Sequence, residues 1–281
     1  MSEQRPLLEV KEVSKHFGAV QALTSVNFEV RNGEVMALVG DNGAGKSTLI
    51  KGIAGIYSFD SGEVYFDGKR VHINGPRDSA ALGIEIVYQD LALADNLDVV
   101  ANMFLGRERL RVQLPSPTDT ATPLGSRILV SLRAILQLDE PSMEIAAIET
   151  LNSLSVSTLR SVRLPVSSLS GGQRQAIAVA KAVMWNSRLV ILDEPTAALG
   201  VAQTRQVLDL VRRLAQKGLA VVLISHNLHD VFEASDRITV LRLGFNAGVY
   251  ETTKTNQQEV VHAITAGKLQ SVPGMKETEA L

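Results

Sequence analysis

The N-terminal part of the chain shows the two-residue periodicity of β-strands. Residues 26–30 alternate between apolar and polar side chains, as expected for a half-buried strand. The Asn32-Gly33 pair that follows is typical of a hairpin turn, and Asp67-Gly68 repeats this signal after the apolar residues 64–66. This part of the chain is therefore predicted to form an antiparallel β subdomain.

Further along, short apolar runs alternate with helical patterns. Runs of this length with almost no polar residue are typical of strands buried on both faces. The runs are 35–39, 84–88, 189–192 and 219–224, with a last strand over 238–243; the helices begin at Lys46 and Arg174 and cover 201–216 and 228–234. This alternation of buried strands and helices indicates an α/β fold with a mainly parallel sheet.

The pattern changes between about residues 107 and 168. Residues 114–125 are rich in proline and threonine, which predicts a loop. Apolar residues at helical spacing then recur over 128–136 and 143–154. We interpret 107–168 as a mostly helical insertion subdomain.

The whole chain, 1–281, is therefore predicted to be a single domain. Its core comprises 1–106 and 169–250, with the helical segment inserted between them. Residues 251–281 are predicted to form a C-terminal helix, which starts near Asn256 with Glu259 three residues on, and a polar tail.

Composition narrows the possible functions. The 281 residues are 45% hydrophobic, enough for a sizeable core, and include no cysteine, which excludes disulfides, Cys-ligated zinc and thiol catalysis. A formal net charge of -2 argues against strong sequence-independent binding to nucleic acid. No apolar run approaches the roughly 18 residues of a spanning helix, and the charged start is unlike a secretory signal. We expect a cytosolic protein, with any membrane part supplied by another chain.

A glycine-rich turn connects the first buried strand to the helix that begins at Lys46. Gly40–Ser47 matches the P-loop pattern G-x-x-x-x-G-K-[ST] in the strand–turn–helix context that this motif requires. Its N–H groups and lysine can bind phosphates, and its hydroxyl can bind Mg²⁺. The alternative is a glycine-rich turn with a solvated lysine. The residues predicted to bind a nucleoside triphosphate here are Gly40, Asn42, Gly43, Gly45, Lys46, Ser47 and Thr48.

Two adjacent carboxylates follow the buried run 189–192. Asp193 emerges at the carboxyl end of a predicted strand, where ligands lie in folds of this type, and Glu194 comes next. Neighbouring side chains on a strand point to opposite sides, so the two are not expected to share one role. Asp193 is predicted to hold Mg²⁺ and Glu194 to polarise an attacking water. An ordinary acidic strand end is the alternative.

The stretch Leu169–Gln173 reads LSGGQ and has the composition of a second phosphate-binding turn. Together with the P-loop and the sequence LVILDEP around Asp193, it resembles the ATP-binding cassette (ABC) family, the motor subunits of ABC transporters. This resemblance implies a P-loop NTPase fold. In that family the LSGGQ signature contacts the γ-phosphate bound by a second subunit. The residues implied to bind ATP in this way are Ser170, Gly171, Gly172 and Gln173.

The resemblance extends to three further positions. Phe17 lies where the family has an aromatic residue that stacks on adenine, although a core phenylalanine is the alternative. Gln89 matches a glutamine that contacts Mg²⁺ and water and couples to the permease; otherwise it is a surface residue. His226 matches the histidine that contacts the γ-phosphate and orients the catalytic water, against a structural histidine. The implied catalytic residues are Glu194, His226 and Gln89, and the implied metal ligands are Ser47, Gln89 and Asp193.

One stretch departs from the family pattern. Residues 197–200 read AALG, where the family usually has SALD. The missing aspartate puts in doubt one contact that couples the two sites of a dimer. AALG is itself similar to the sugar-importer branch of ribose, xylose and fructose type, as are the stretches ANMFLGRE and LRLGFNAG.

The resemblance implies the ATP-hydrolysing subunit of an ABC importer for a carbohydrate, with ATP and Mg²⁺ as cofactors. Its implied partners are membrane permease subunits, a second cassette (a homodimer or a different chain) and, indirectly, an external sugar-binding protein, but no nucleic acid. The chain would lie on the cytoplasmic face of the membrane, held there by the permease. An importer of another solute, such as branched-chain amino acids, uses the same chemistry and is an alternative. A non-transport ABC ATPase is disfavoured, because such chains typically carry long coiled coils or cysteine-ligated zinc.

Overall fold

The computed structural model describes residues 5–111, 137–156 and 159–266. Its strands are β1 (Leu8–Phe17), β2 (Val20–Val30), β3 (Val35–Val39), β4 (Ser61–Phe66), β5 (Lys69–Val71), β6 (Ile84–Val87), β7 (Leu189–Asp193), β8 (Ala220–Ile224), β9 (Arg237–Arg242) and β10 (Phe245–Glu251). Its α-helices are α1 (Lys46–Ile53), α2 (Pro76–Ala81), α3 (Val99–Phe104), α4 (Glu140–Ser153), α5 (Gly171–Val183), α6 (Val201–Gln216), α7 (Leu228–Ala234) and α8 (Gln257–Ala266).

The described residues divide into two compact units. Those up to Leu91 and from Trp185 on form the first unit, and those from Ala92 to Met184 form the second. The predicted loop over 114–125, the predicted helix over 128–136 and the predicted polar tail lie outside the described residues.

A six-stranded sheet of the first unit has the order β10-β9-β3-β8-β7-β6. Neighbouring strands run parallel except at one edge, where β10 is antiparallel to β9. The central strands β3 and β8 are buried along their whole length, as their apolar sequences predict. The prediction of an α/β fold with a mainly parallel sheet is therefore confirmed. Because parallel strands end at the same edge, the turns after β3, β6, β7 and β8 share one side of this sheet.

A four-stranded antiparallel sheet of order β2-β1-β4-β5 forms the N-terminal β subdomain, which is thereby confirmed. The predicted hairpin at Asp67-Gly68 is also confirmed. Both residues have positive φ (53° and 68°), as a tight two-residue hairpin requires, and Phe66 pairs with Lys69 across it.

The hairpin predicted at Asn32-Gly33 is wrong. The strand before this turn, β2, belongs to the four-stranded sheet, whereas the strand after it, β3, belongs to the six-stranded sheet. Gly33 N donates to Leu219 O (3.2 Å), in the segment that leads into β8. The dipeptide predicts a turn, but the sheet that receives the next strand is determined by contacts distant in sequence.

The helices of the first unit agree closely with the hydrophobic pattern. Those predicted over 201–216 and 228–234 are confirmed as α6 and α7. The helix predicted near Asn256 is α8, and Asn256 Oδ1 accepts a hydrogen bond from Glu259 N (3.0 Å). The pattern did not predict α2 or β10, and α2 is too short to show periodicity. Within the described ranges, no helix has the length and apolar content needed to cross a membrane.

Three helices, α3, α4 and α5, pack together in the second unit. The apolar side of α4 buries Met143, Ala147 and Leu151, which are spaced four residues apart. This helix confirms the helical pattern predicted over 143–154. The limits predicted for the helical segment, 107–168, fall inside this unit and stay a prediction.

Candidate functional site

The glycine-rich turn between β3 and α1 has a backbone that ordinary residues rarely adopt. Gly40, Gly43 and Gly45 have φ values of 153°, 80° and 99°. The helix begins directly at Lys46, and its N-cap, Gly45, offers no side-chain cap. The first N–H groups of α1 are therefore left without the side-chain acceptor that usually satisfies them.

Two of these glycines are also required by space. A Cβ at Gly40 would lie 2.3 Å from Leu241 O, and one at Gly45 would lie 2.7 Å from Leu23 Cδ2 and 2.8 Å from Ala22 O. Any larger residue would displace the turn from the neighbouring strands. The close approach fixes the shape of the loop that precedes α1.

Lys46 folds back over this loop. Its Nζ donates to Gly40 O (2.7 Å) and Asp41 O (3.0 Å). Burial lowers the pKa of Lys46 from its ordinary value, and the nearby carboxylates of Glu194, Asp41 and Asp193 only partly oppose this effect. The ammonium group is thus incompletely solvated, so an anion that binds beside it would be stabilised.

The two predicted carboxylates lie at the end of β7. Asp193 is the last residue of that strand and pairs with Ile224 of β8. Burial and, second, the charge of Glu194 raise the pKa of Asp193, while Lys46 and Lys51 oppose the shift. The ionised form of this carboxylate is under-compensated, so a cation beside it would be favourable.

Glu194 and His226 contact each other across the ends of β7 and β8. Glu194 leaves the strand with a φ of 51°, and its Oε2 accepts a hydrogen bond from His226 Nδ1 at 2.7 Å. The side chain of Glu194 is 16% exposed and that of His226 is 75% exposed. The structure therefore brings together two side chains that sequence reasoning linked only through the family resemblance.

Phe17 and Gln89 are both exposed. Gln89 follows β6, at the carboxyl end of the strand next to β7. Phe17 ends β1 and is 46% exposed, so the alternative that it is a core residue is wrong. Its ring meets that of Tyr57 edge to face, with centroids 5.2 Å apart. Sequence reasoning missed Tyr57, although an aromatic residue shortly after a P-loop helix was the available signal.

The LSGGQ stretch lies in the second unit, at the start of α5. Ser170 is the N-cap, and its Oγ accepts a hydrogen bond from Gln173 N (3.3 Å). Gln173 Oε1 in turn accepts one from Ser170 N (3.0 Å). This reciprocal pair is a capping box, and Gly171 and Gly172 form the first helical turn within it. The helix therefore begins three residues earlier than the predicted start at Arg174.

The divergent stretch 197–200 leads from Glu194 to α6. Ala197 N donates to Glu194 O (3.1 Å), which closes a turn, and Ala198 has a φ of 60°. Gly200 is the N-cap of α6 and has an extended backbone with a φ of -74°. The glycine at this position is therefore not required by backbone strain.

Comparison with known proteins defines the class of protein. The sequence model of the ABC transporter family matches residues 23–197. Two solved ATP-binding cassettes of ABC transporters have the same fold. The nucleotide-free one has a TM-score of 0.75, 26% identity and coverage of 92% of this chain and 98% of its own. The ADP-bound conformation has a TM-score of 0.72, 26% identity and coverage of 93% and 96%. The chain belongs to the ABC transporter family and is an ATP-binding cassette with ATPase activity.

Individual relatives resemble the chain over most of its length. The xylose/arabinose import ATP-binding protein of Sulfolobus acidocaldarius is 41% identical, with 95% of this chain and 96% of that protein covered. The fructose import ATP-binding protein of Rhizobium meliloti is 40% identical, with coverage of 94% and 96%. The ribose import ATP-binding protein of Yersinia pestis is 35% identical over 94% of this chain, which spans only 47% of that protein.

Proposed function

We propose that this chain is the ATP-hydrolysing subunit of a membrane importer for a carbohydrate. The observation that carries the proposal is the likeness, at 40–41% identity and almost full length, to two proteins named as sugar import ATP-binding proteins. An importer of branched-chain amino acids would use the same cassette chemistry, but the similarity to sugar importers favours a carbohydrate.

The α1 turn binds the phosphates of ATP. Its N–H groups lack a side-chain acceptor, and the Lys46 ammonium is held where burial disfavours its charge. Phosphate oxygens supply acceptors to the first and negative charge to the second. The phosphate-binding set comprises Gly40, Asn42, Gly43, Gly45, Lys46, Ser47 and Thr48, and Phe17 stacks on the adenine.

The residues at this sheet edge fit Mg²⁺, provided that the nucleotide supplies part of the coordination. In the part of the chain that the structure describes, no group of three Asp, Glu, His or Cys side chains could hold a metal ion alone. Mg²⁺ usually binds through one or two protein oxygens together with phosphates and waters. Burial raises the pKa of the Asp193 carboxyl group, and a positive charge beside it would oppose that shift, which supports the proposal. Ser47, Gln89 and Asp193 would hold the ion, which would neutralise charge on the phosphates.

Glu194 is the base that accepts a proton from the attacking water. A general base needs a defined orientation within hydrogen-bond reach of its proton. The 2.7 Å contact with His226 Nδ1 holds the Glu194 carboxylate in one orientation. Gln89, at the end of the neighbouring strand, helps to position the same water.

The chain works as one of a pair of cassettes on a permease. Ser170, Gly171, Gly172 and Gln173 of one cassette contact the ATP held by the α1 turn of the other, and two copies of this chain form a homodimer. The helical segment docks the permease, and its exposed apolar side chains Ile145 and Ile148 are suited to that contact. The subunit is held in this way on the cytoplasmic face of the membrane, and an external sugar-binding protein delivers the substrate to the permease.

Uptake by cells that lack this chain tests the proposal. Such cells should lose accumulation of a labelled pentose or hexose, and the intact chain should restore it while Lys46→Ala should not. Labelled leucine uptake serves as the control and should be unchanged. Loss of leucine uptake with normal uptake of every sugar would support the amino-acid alternative and overturn the carbohydrate assignment.

A further inference from the structure

The turns after β7 and β8 are joined by their backbones and again by side chains. Asp193 pairs with Ile224 at the end of the ladder, and Glu194 N donates to Ile224 O (2.9 Å). Beyond this point both strands end. Each strand leads into a turn that carries a residue proposed to act in hydrolysis, Glu194 after β7 and His226 after β8.

A side-chain hydrogen bond lies beyond the Glu194–His226 contact. Thr196 Oγ1 donates to Asp230 Oδ2 at 2.6 Å. Thr196 belongs to the turn that Ala197 N closes on Glu194 O (3.1 Å). Fixing the hydroxyl of Thr196 therefore fixes the turn from which the Glu194 side chain projects.

Asp230 is buried, with 4% of its surface exposed, in the first turn of α7. A buried polar side chain is costly unless it is hydrogen-bonded, and the bond from Thr196 Oγ1 supplies Asp230 with a partner. Asp230 is thus a rigid point rather than a mobile surface acid.

His226 lies just before the N-cap of α7, and hydrogen bonds link it to the helical turn that contains Asp230. Val231 N donates to Asn227 O (3.2 Å), and Asn227 N donates to the hydroxyl of the buried Ser225 (3.1 Å). His226 lies between these two anchored residues. Asp230 is therefore connected through the start of its helix to His226 and through Thr196 to Glu194.

We propose that Asp230 is a positioning residue for ATP hydrolysis, which ties the Glu194 turn to the His226 turn by accepting the hydrogen bond of Thr196. The inference rests on the roles proposed above for Glu194 and His226. Asp230 itself touches neither nucleotide nor water in this account. Its effect is to hold the Glu194 carboxylate and the His226 imidazole in fixed positions beyond the ends of β7 and β8, where the ladder of the sheet has ended.

Thr196→Val in the full chain removes the hydroxyl and keeps the shape of the side chain. We expect kcat for ATP to fall about 10- to 100-fold, the scale on which misplacing a catalytic group acts. KM and the Kd for ATP should stay within about twofold, because ground-state binding is not touched. Thr196→Ser keeps the donor and should restore kcat.

The matched control is Ser235→Ala. This variant removes the hydroxyl of the residue that caps the C-terminal end of α7, which donates to Val231 O (2.7 Å). It should lower the unfolding temperature but leave kcat unchanged. If Thr196→Val does not fold, Asp230→Asn, which retains an acceptor, is compared with Asp230→Ala, and only the alanine variant should lose kcat.

The decisive readout is a double-mutant cycle with Glu194→Gln. Once the carboxylate is gone, Thr196→Val should have little further effect, because the group that it positions is absent. Two results would overturn this inference but leave the proposed role of Glu194 intact. One is a double variant in which the two reductions of kcat multiply, and the other is a wild-type kcat for Thr196→Val although Glu194→Gln is slow. A wild-type rate for Glu194→Gln by itself would overturn the proposed role of Glu194, and the inference with it.

Discussion

The starts of α1 and α5 were both predicted to be phosphate-binding turns, yet they are built differently. The α1 start has three glycines with positive φ and no side-chain cap, and its Lys46 donates to the carbonyl oxygen of Gly40 in the preceding loop. The α5 start has helical glycines inside a complete capping box. One turn is open toward an incoming anion, and the other already satisfies part of its own hydrogen bonding.

The charges at the two starts differ in the same way. At α1 and the neighbouring strand end, burial lowers the pKa of Lys46 and raises the pKa of Asp193. Both shifts favour the neutral form of the side chain. At α5, Arg174 is paired with Asp95 (3.1 Å) near solvent. A phosphate and a metal ion would compensate these partly buried charges at the α1 start, whereas the capping box of α5 is complete without a ligand. On the proposed function, the nucleotide would therefore bind first at α1, and the α5 start of a second cassette would contact an ATP that is already bound.

The largest expected effect is on nucleotide binding. Lys46→Ala should abolish detectable ATP binding at millimolar Mg-ATP, measured by titration calorimetry, because it removes the cation of the α1 turn. Lys51→Ala, on the exposed side of the same helix, is the matched control and should bind normally. An unchanged affinity of Lys46→Ala for ATP would contradict the conclusion that the α1 start, unlike the α5 start, binds phosphate through its own lysine.

Alanine substitution of glycine should have opposite effects at the two starts. Gly45→Ala should destabilise the protein by more than about 1 kcal/mol, because it combines a left-handed backbone with a Cβ only 2.7 Å from Leu23 Cδ2. Gly171→Ala should be neutral or stabilising by up to about 1 kcal/mol, because that residue is helical and exposed. Urea unfolding of both variants measures the difference. Equal losses would mean that the starts are not conformationally distinct.

The smallest expected effect concerns the partly buried charge of Asp193. Its pKa in the folded protein is raised above 3.8, so its contribution to stability falls as pH rises through the interval between the unfolded and folded values. Above that interval the whole cost is present, and there Asp193→Asn should raise the unfolding temperature of the nucleotide-free protein.

Below that interval the carboxyl group of Asp193 is neutral in both the folded and the unfolded protein. The difference in unfolding temperature between Asp193→Asn and the wild type should therefore disappear there. Asp90→Asn, an exposed acid after the next strand, is the control and should show no such gain. A gain for Asp193→Asn that persists in acid would have to come from something other than charge.

Local signals in the sequence account for much of the fold and site. The P-loop spacing, the apolar strand runs and the periodicity of α6 and α7 each depend on neighbours in the chain, so they could be predicted directly. The hairpin predicted at Asn32-Gly33 does not form, and Gly33 instead contacts Leu219, which is distant in sequence. No local pattern contains this contact.

Contacts distant in sequence also account for the residues of the site that local patterns do not predict. Tyr57 meets Phe17, and Asp230 meets Thr196, across long separations in the chain. Ser170 and Gln173 have the spacing of a capping box, and the same residues also fit a phosphate-binding turn. Spacing alone could not distinguish a turn that is open from one that is already closed.

The central claim is that each ATP is held between the α1 turn of one chain and the α5 start of another. Glu194→Gln should slow hydrolysis by roughly 10²- to 10⁴-fold while ATP still binds, since only the base is lost. Size-exclusion chromatography with saturating ATP should then show this variant as a dimer, the wild-type chain with ADP as a monomer, and Glu194→Gln combined with Ser170→Arg as a monomer. A Glu194→Gln chain that remains monomeric at saturating ATP, or a dimer that survives Ser170→Arg, would contradict the shared nucleotide site.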